Sequence, residues 1–123
     1  MSRLVRIKKR DRELWQYVCE TLHTYADNFD LKLKKVRPLK KKWLGLYVGS
    51  CSKRGILRLS VRDADGELLE AYSLIDLMAH ELAHLRHQKH SSKWFELHFH
   101  ILDLMRVSGV YRDLREILGK KTV

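Results

Sequence analysis

Proline occurs once in the 123 residues, and no segment is repeated or built from one residue type. Proline-rich linkers, fibrous arrays and low-complexity tracts are therefore excluded. Cysteine is nearly as scarce. Cys19 and Cys51 lie far apart without the CxxC spacing of a redox pair or zinc knuckle, so neither a disulfide framework nor a thiolate metal site is expected. No apolar run approaches the roughly 20 residues that cross a bilayer. The stretch from Met1 to Arg12 is basic and has no apolar core of the kind a signal peptide needs. These absences together point to a protein that is not secreted, has no membrane partner, and stays in a reducing intracellular compartment, cytoplasmic or nuclear.

What is present suits a globular chain: 45% of residues are hydrophobic and 33% charged. At this length one core can form but not two independent ones, so residues 1–123 are read as a single domain. The net charge of +10 is unevenly placed. Residues 1–62 hold 17 basic and 5 acidic side chains, a balance of +12, whereas the remainder holds 8 and 10, a balance of −2. A positive half attracts polyanions, and nucleic acid is the commonest one in a cell. Lys40, Lys41, Lys42, Lys53 and Arg54 are the candidate phosphate contacts. The plainer alternative is a solvated basic face that aids solubility.

Periodicity divides the chain into elements. From Asp11 to about Phe29, Leu14, Val18, Leu22 and Tyr25 recur every three or four residues, which predicts a helix with one apolar face. Leu31, Leu33 and Val36 alternate with lysines as in a strand with one wet face, and Pro38 ends it or marks an edge. Trp43–Val48 and Ile56–Val61 are β-prone, with a turn-rich Gly49–Gly55 between them. Asp63, Ala64, Asp65 and Gly66 signal another turn. Ser73 with Asp76 then resembles a capping box, predicting a helix from there to about His87. Ser91 or Ser92 caps a further helix that Gly109 stops, and Tyr111–Leu118 forms a last short one.

His80-Glu81-Leu82-Ala83-His84 is an HExxH pentad inside the predicted central helix. Residues i and i+4 share a helix face, so two imidazoles reach one ion while the glutamate stands beside its open position. With seven His and seven Glu in the chain, a shuffle yields such a pentad about 2% of the time, so the pentad is good evidence but needs support. A catalytic zinc takes three protein ligands, and His87 and His90 are the local candidates for the third. His87 would lie roughly 10 Å beyond His80 along the same helix axis, where three rings in a line converge poorly. His90 follows the expected helix end, where the backbone can turn its ring back, and is the favoured ligand. Glu81 is then the general base, taking a proton from a water whose pKa the metal lowers to about 7 and returning it to the leaving amine. Tyr111, His98, His100 and Arg86 are candidates for stabilising the oxyanion, and periodicity chooses none of them. Trp94 and Phe95 read as core residues that hold the following helix against the active one.

The motifs Gly49-Ser50-Cys51-Ser52-Lys53, Ile75-Asp76 leading into His80-Glu81-Leu82-Ala83-His84-Leu85, and His87 followed by His90-Ser91 and Trp94-Phe95 carry a more specific signal. Over roughly Trp43 to Phe99 the chain resembles the YgjP-like and WLM/SprT-like zincin metallopeptidases. That resemblance implies zinc on His80, His84 and His90 and a catalytic Glu81. It also implies an α+β minimal zincin-like fold: an N-terminal helix, a small, mostly antiparallel sheet, the HExxH helix and C-terminal helices. The YgjP-like group usually has Trp directly before Gly-Ser-Cys, where this chain has Val48. WLM/SprT-like relatives cleave proteins crosslinked to DNA, so the resemblance implies a protein substrate near nucleic acid. Two rivals remain. A metal-dependent ribonuclease of the YbeY-like type shares the H-x3-H-x5-H spacing but lacks the glutamate. A nucleic-acid-binding module with structural zinc needs a fourth ligand, for which only His87 is at hand.

Overall fold

A computed structural model describes residues 7–39 and 49–121. The expected strand Trp43–Val48 and the residues Lys40, Lys41 and Lys42 lie outside the described residues. The first helix, α1, spans Arg12–Asn28 and buries Leu14, Val18, Leu22 and Tyr25 on one face, as their spacing requires. A single 3-10 turn, Lys9–Asp11, leads into it. The Asp11 carboxylate there is gripped bidentately by Arg62, with Nε to Oδ2 at 2.8 Å and Nη2 to Oδ1 at 3.0 Å. Arg62 also donates through Nη1 to the Gly66 carbonyl, so one guanidinium ties the turn at Asp63 to Gly66 to the start of α1.

Three short strands follow: β1 (Lys35–Pro38), β2 (Gly49–Cys51) and β3 (Ile56–Leu59). Their order is β1-β3-β2, with β3 parallel to β1 and antiparallel to β2. The α+β expectation therefore stands, while among the described residues the sheet is evenly mixed and not mostly antiparallel. Two boundaries also differ. Leu31 and Leu33 do pack inward, but the chain enters the sheet only at Lys35, because Asp30 adopts a left-handed φ of 54° and Leu31 N–H bonds back to the Ala26 carbonyl. Gly49–Cys51, expected as turn, is strand paired to Leu57–Leu59, and the true turn is shorter. Gly55 closes that turn at φ 82°, where any Cβ would stand 2.5 Å from the Lys32 carbonyl oxygen, so only glycine fits.

Three helices complete the fold: α2 (Ala71–His84), α3 (Ser92–Val107) and α4 (Val110–Lys121). α2 buries Leu74, Ile75, Met78, Ala79, Leu82 and Ala83 and is packed by the sheet, α3 and α4. It begins two residues before Ser73, because Leu74 N–H already bonds to the Glu70 carbonyl. The Ser73/Asp76 pair is thus inside the helix and does not cap it. α3 is capped as expected, with Trp94 N–H donating to Ser91 Oγ at 3.3 Å, and it ends before Gly109, whose φ is 101°. Phe95, expected in the core, is instead 48% exposed, because its neighbour Trp94 takes the inward-facing position.

Leu22 has no exposed surface and sits in the core that joins α1 to β3, α2, α3 and α4. Leu22→Ala is expected to lower the unfolding free energy by about 2–5 kcal/mol, seen as a fall in the urea midpoint at unchanged slope. A loss below about 1 kcal/mol would contradict its place in that core.

Candidate metal centre

The centre is assembled where α2 ends. His80 and His84 are one helical turn apart on the same face. Past His84 the helix tightens, with Leu85 N–H bonding to Leu82 and Arg86 N–H to Ala83, so regular helix stops three residues short of His87. The released His87 carbonyl turns back and accepts a hydrogen bond from His84 Nδ1 at 3.0 Å. A carbonyl only accepts, so the proton of His84 is on Nδ1 and its Nε2 presents a lone pair. The Gln88 side chain donates to the His84 carbonyl at 2.7 Å and holds the same bend. Six residues after His84, the bend delivers His90.

The Nε2 atom of His84 lies 3.2 Å from Nε2 of His80 and 2.9 Å from Nε2 of His90. One ligand atom from each of the three lies within 4.8 Å of the others, a group that could hold a metal ion. One in-plane lone pair cannot accept two well-aligned hydrogen bonds, whereas a shared cation satisfies all three rings. Trp94 backs the cluster, with its ring centroid 4.7 Å from that of His80, 5.3 Å from His84 and 4.5 Å from His90. Burial first, and then the neighbouring imidazoles of His84 and His90, push His80 down to about 4. His84 is lowered chiefly by burial as well. Both rings are therefore neutral donors at physiological pH.

Glu81 points toward Gly49 of β2 and is 4% exposed. Burial alone pushes its carboxyl up to about 7. The space it occupies exists because residue 49 is glycine: a Cβ there would lie 2.9 Å from Glu81 Oε2 and 2.7 Å from Leu77 Cδ1. Cys51, on the same face of β2, is pushed up to about 12 by burial and then by Glu81, so it remains a thiol. A cavity of about 210 Å³ is lined by Gly49, Ser50, Cys51, Gln88, Glu81 and the three histidines. A second, of about 490 Å³, meets it at Gly49, His80 and Glu81.

The remaining candidate residues are placed as follows. His87 contributes its carbonyl, and its ring is not among the converging ligands. Arg86 donates to the Phe29 carbonyl, and His100 packs edge-on to the Phe29 ring at 5.2 Å. Tyr111 packs on the core with the Arg115 guanidinium 5.7 Å over its ring. His98 is buried, stacks on Trp94 at 5.0 Å and pairs through Nε2 with Asp76 Oδ1 at 3.2 Å. None of these four lines either cavity among the described residues. Asp76 and Gly49 are the site residues to which periodicity assigned no role. Asp76 stands four residues before His80 on its helix face, a spacing visible in sequence. Lys53 and Arg54 are exposed in the turn between β2 and β3.

An N-terminal helix, a small sheet, an HExxH helix and two closing helices make a zincin-like α+β fold, the scaffold of a class of metal-dependent hydrolases. The chain belongs to the YgjP-like metallopeptidase family, whose profile, described as YgjP-like, metallopeptidase domain, matches residues 4–108. The fold is similar to a crystal structure of a Wss1 mutant from Saccharomyces cerevisiae, with a TM-score of 0.67 over 87% of this chain and 91% of that one. At 13% identity that likeness is one of fold. No curated protein sequence matches the chain. Membership of a metallopeptidase family implies a metal and a protein substrate. Among the described residues no helix is long and apolar enough to cross a membrane.

The raised Glu81 value has a sign that can be measured in metal-free protein. Its carboxyl ionises near 4.5 when unfolded and near 7 when folded, so the folded state loses stability as pH rises through that window. Glu81→Gln is expected to be more stable than the parent by about 1–3 kcal/mol at pH 8, with the difference vanishing near pH 4. Urea melts of chelator-treated protein at both pH values test this, and equal stabilities at pH 8 would refute the buried charge.

Proposed function

We propose that residues 1–123 form one zinc-dependent endopeptidase domain of the HExxH…H type, in which His80, His84 and His90 hold zinc and Glu81 is the general base. The observation that carries this reading is the convergence of three ring nitrogens beside a buried carboxylate of raised pKa. Tetrahedral zinc with nitrogen ligands places its donors about 3.3 Å apart, and the Nε2 separations of 3.2 and 2.9 Å at His84 fit that donor set. When bound, the ion supplies Lewis acidity that polarises a carbonyl and makes a water easier to deprotonate.

The chain's own residues do the rest. The His87 carbonyl holds His84 so that its Nε2 lone pair faces the ring nitrogens of His80 and His90, where it would serve to hold the ion. Glu81, poised near 7, accepts a proton from the attacking water at its carboxylate and delivers it to the departing amine. Gly49 keeps the strand backbone close enough to shield that carboxylate from bulk water. Glu81 also favours peptidase over the ribonuclease reading, because hydrolysis of RNA on this histidine spacing has no need of it.

Substrate proteins are proposed to be ones associated with nucleic acid or crosslinked to DNA. The support is electrostatic. Lys35↔Ile56 and Arg37↔Arg58 are partners in the sheet, and Leu57 and Leu59 take the buried face, so Lys35, Arg37 and Arg58 share the outer one. Lys53 and Arg54 extend this positive surface. Arginines side by side on one sheet face repel each other, and a phosphate backbone removes that repulsion.

Two experiments follow. Purified protein is expected to contain one zinc and to cleave casein, and Glu81→Gln is expected to keep the zinc while losing at least about a hundredfold in rate. Full proteolysis by that variant, or cleavage of structured RNA with casein left intact, would overturn the assignment. For nucleic acid, replacing Lys53 and Arg54 with Ala is expected to lower the salt slope of DNA binding by about one per residue. An unchanged slope would remove them from the interface.

A further inference from the structure

The larger cavity is not needed to hold the metal, yet it opens directly on the reacting centre. It is lined by Gly49, Leu69, Tyr72, Ser73, Asp76, Leu77, His80 and Glu81. Its volume of about 490 Å³ is ample for one long side chain. Leu69, Leu77 and the half-exposed Tyr72 give it apolar walls, the surroundings a methylene stem favours. Among its polar lining residues is Asp76, whose side chain is 51% exposed. Asp76 Oδ1 takes the contact with His98 Nε2, and a carboxylate has acceptor capacity beyond that one contact. No lysine or arginine lines the cavity among the described residues.

The chain that supplies four of the lining residues, Leu69, Tyr72, Ser73 and Asp76, is itself charged with one sign. Residues 63–76 contain Asp63, Asp65, Glu67, Glu70 and Asp76 and no lysine or arginine, within a protein of net charge +10. Asp63 is occupied by the backbone N–H groups of Asp65 and Glu67, but Asp65, Glu67 and Glu70 are exposed. An acidic guest would face Asp76 and Glu81 together. A neutral apolar guest would gain nothing from Asp76.

We propose that this cavity is the specificity subsite of the peptidase and takes the side chain of a lysine or arginine next to the scissile bond. The inference rests on the peptidase reading above, and its test separates the two. Peptides identical except for Lys, Arg, Leu or Glu at each position flanking the bond are titrated, by fluorescence anisotropy, against zinc-loaded Glu81→Gln, which binds without cutting. One position is expected to favour Lys and Arg over Leu, with Glu weakest. Adding Asp76→Asn is expected to cut the Lys-over-Leu ratio about two- to fivefold, the range open to a half-exposed ion pair. Asp76→Glu is expected to retain the preference and Asp76→Lys to turn it toward Glu. Zinc content is measured on each variant, so that loss of the ion is not mistaken for loss of selectivity.

The proposal falls if no flanking position favours a basic residue, or if Asp76→Asn weakens all four peptides equally. Cleavage by the parent enzyme, followed in parallel, is expected to show the same ratio in kcat/KM. Cleavage without basic preference overturns the subsite and leaves the peptidase. Selective binding that depends on Asp76, with no cleavage of any peptide by the parent, overturns the peptidase and leaves the subsite.

Discussion

One hydrogen bond organises the functional end of the molecule: His84 Nδ1–H to the carbonyl of His87. It can form only if α2 stops at His84, because within a continuing helix that carbonyl would point along the axis toward the next turn. Its formation sets the tautomer of His84, curls residues 85–89 back over the helix end, and so determines where the ring of His90 arrives. The helix itself is immobilised by packing on three sides, with Met78, Ala79 and Leu82 fully buried. His80 and His84 therefore inherit the rigidity of the core, and His90 inherits the geometry of a bend.

Burial does the electrostatic tuning. His80 and Glu81 are neighbours in sequence with opposite charge habits, and the same desolvation drives both toward neutrality, one downward and one upward. No arginine or lysine lines either cavity among the described residues to hold Glu81 ionised. Charge is instead sorted to the periphery. Lys35, Arg37, Arg58, Lys53 and Arg54 are carried by the outer face of the sheet and its turn, and four acidic residues, Asp63, Asp65, Glu67 and Glu70, lie in the run that feeds α2. The boundary between the two passes through β2, where Gly49 and Cys51 face the carboxylate and Ser50 pairs with Arg58.

What sequence reasoning recovered, and what it did not, follows from the range of the forces involved. That His80 and His84 share a face follows from local helix geometry, and that the ring of His90, not His87, comes beside them was expected from the rise per residue. α1 and a serine cap at 91 or 92 were legible for the same reason, and the structure uses Ser91. The capping box at Ser73 and Asp76 was misread because the helix already starts at Ala71, and Asp76, inside it, pairs with His98 of α3 instead. Gly49–Cys51 looked like turn because a three-residue strand with Gly and Ser carries almost no β signal, and it is held by pairing with Leu57–Leu59. Phe95 was misplaced because adjacent residues on a helix point about 100° apart, and sequence does not say how wide the buried face of α3 is at that turn. The side-by-side Arg37 and Arg58 are invisible without the register.

The three imidazoles differ in how they are held. His80 and His84 are partly buried on a packed helix, whereas His90 is exposed and rides on the short bend between α2 and α3. Displacing the ring of His90 would disturb no residue of the core, whereas displacing either of the other two would disturb the helix on which that core is packed.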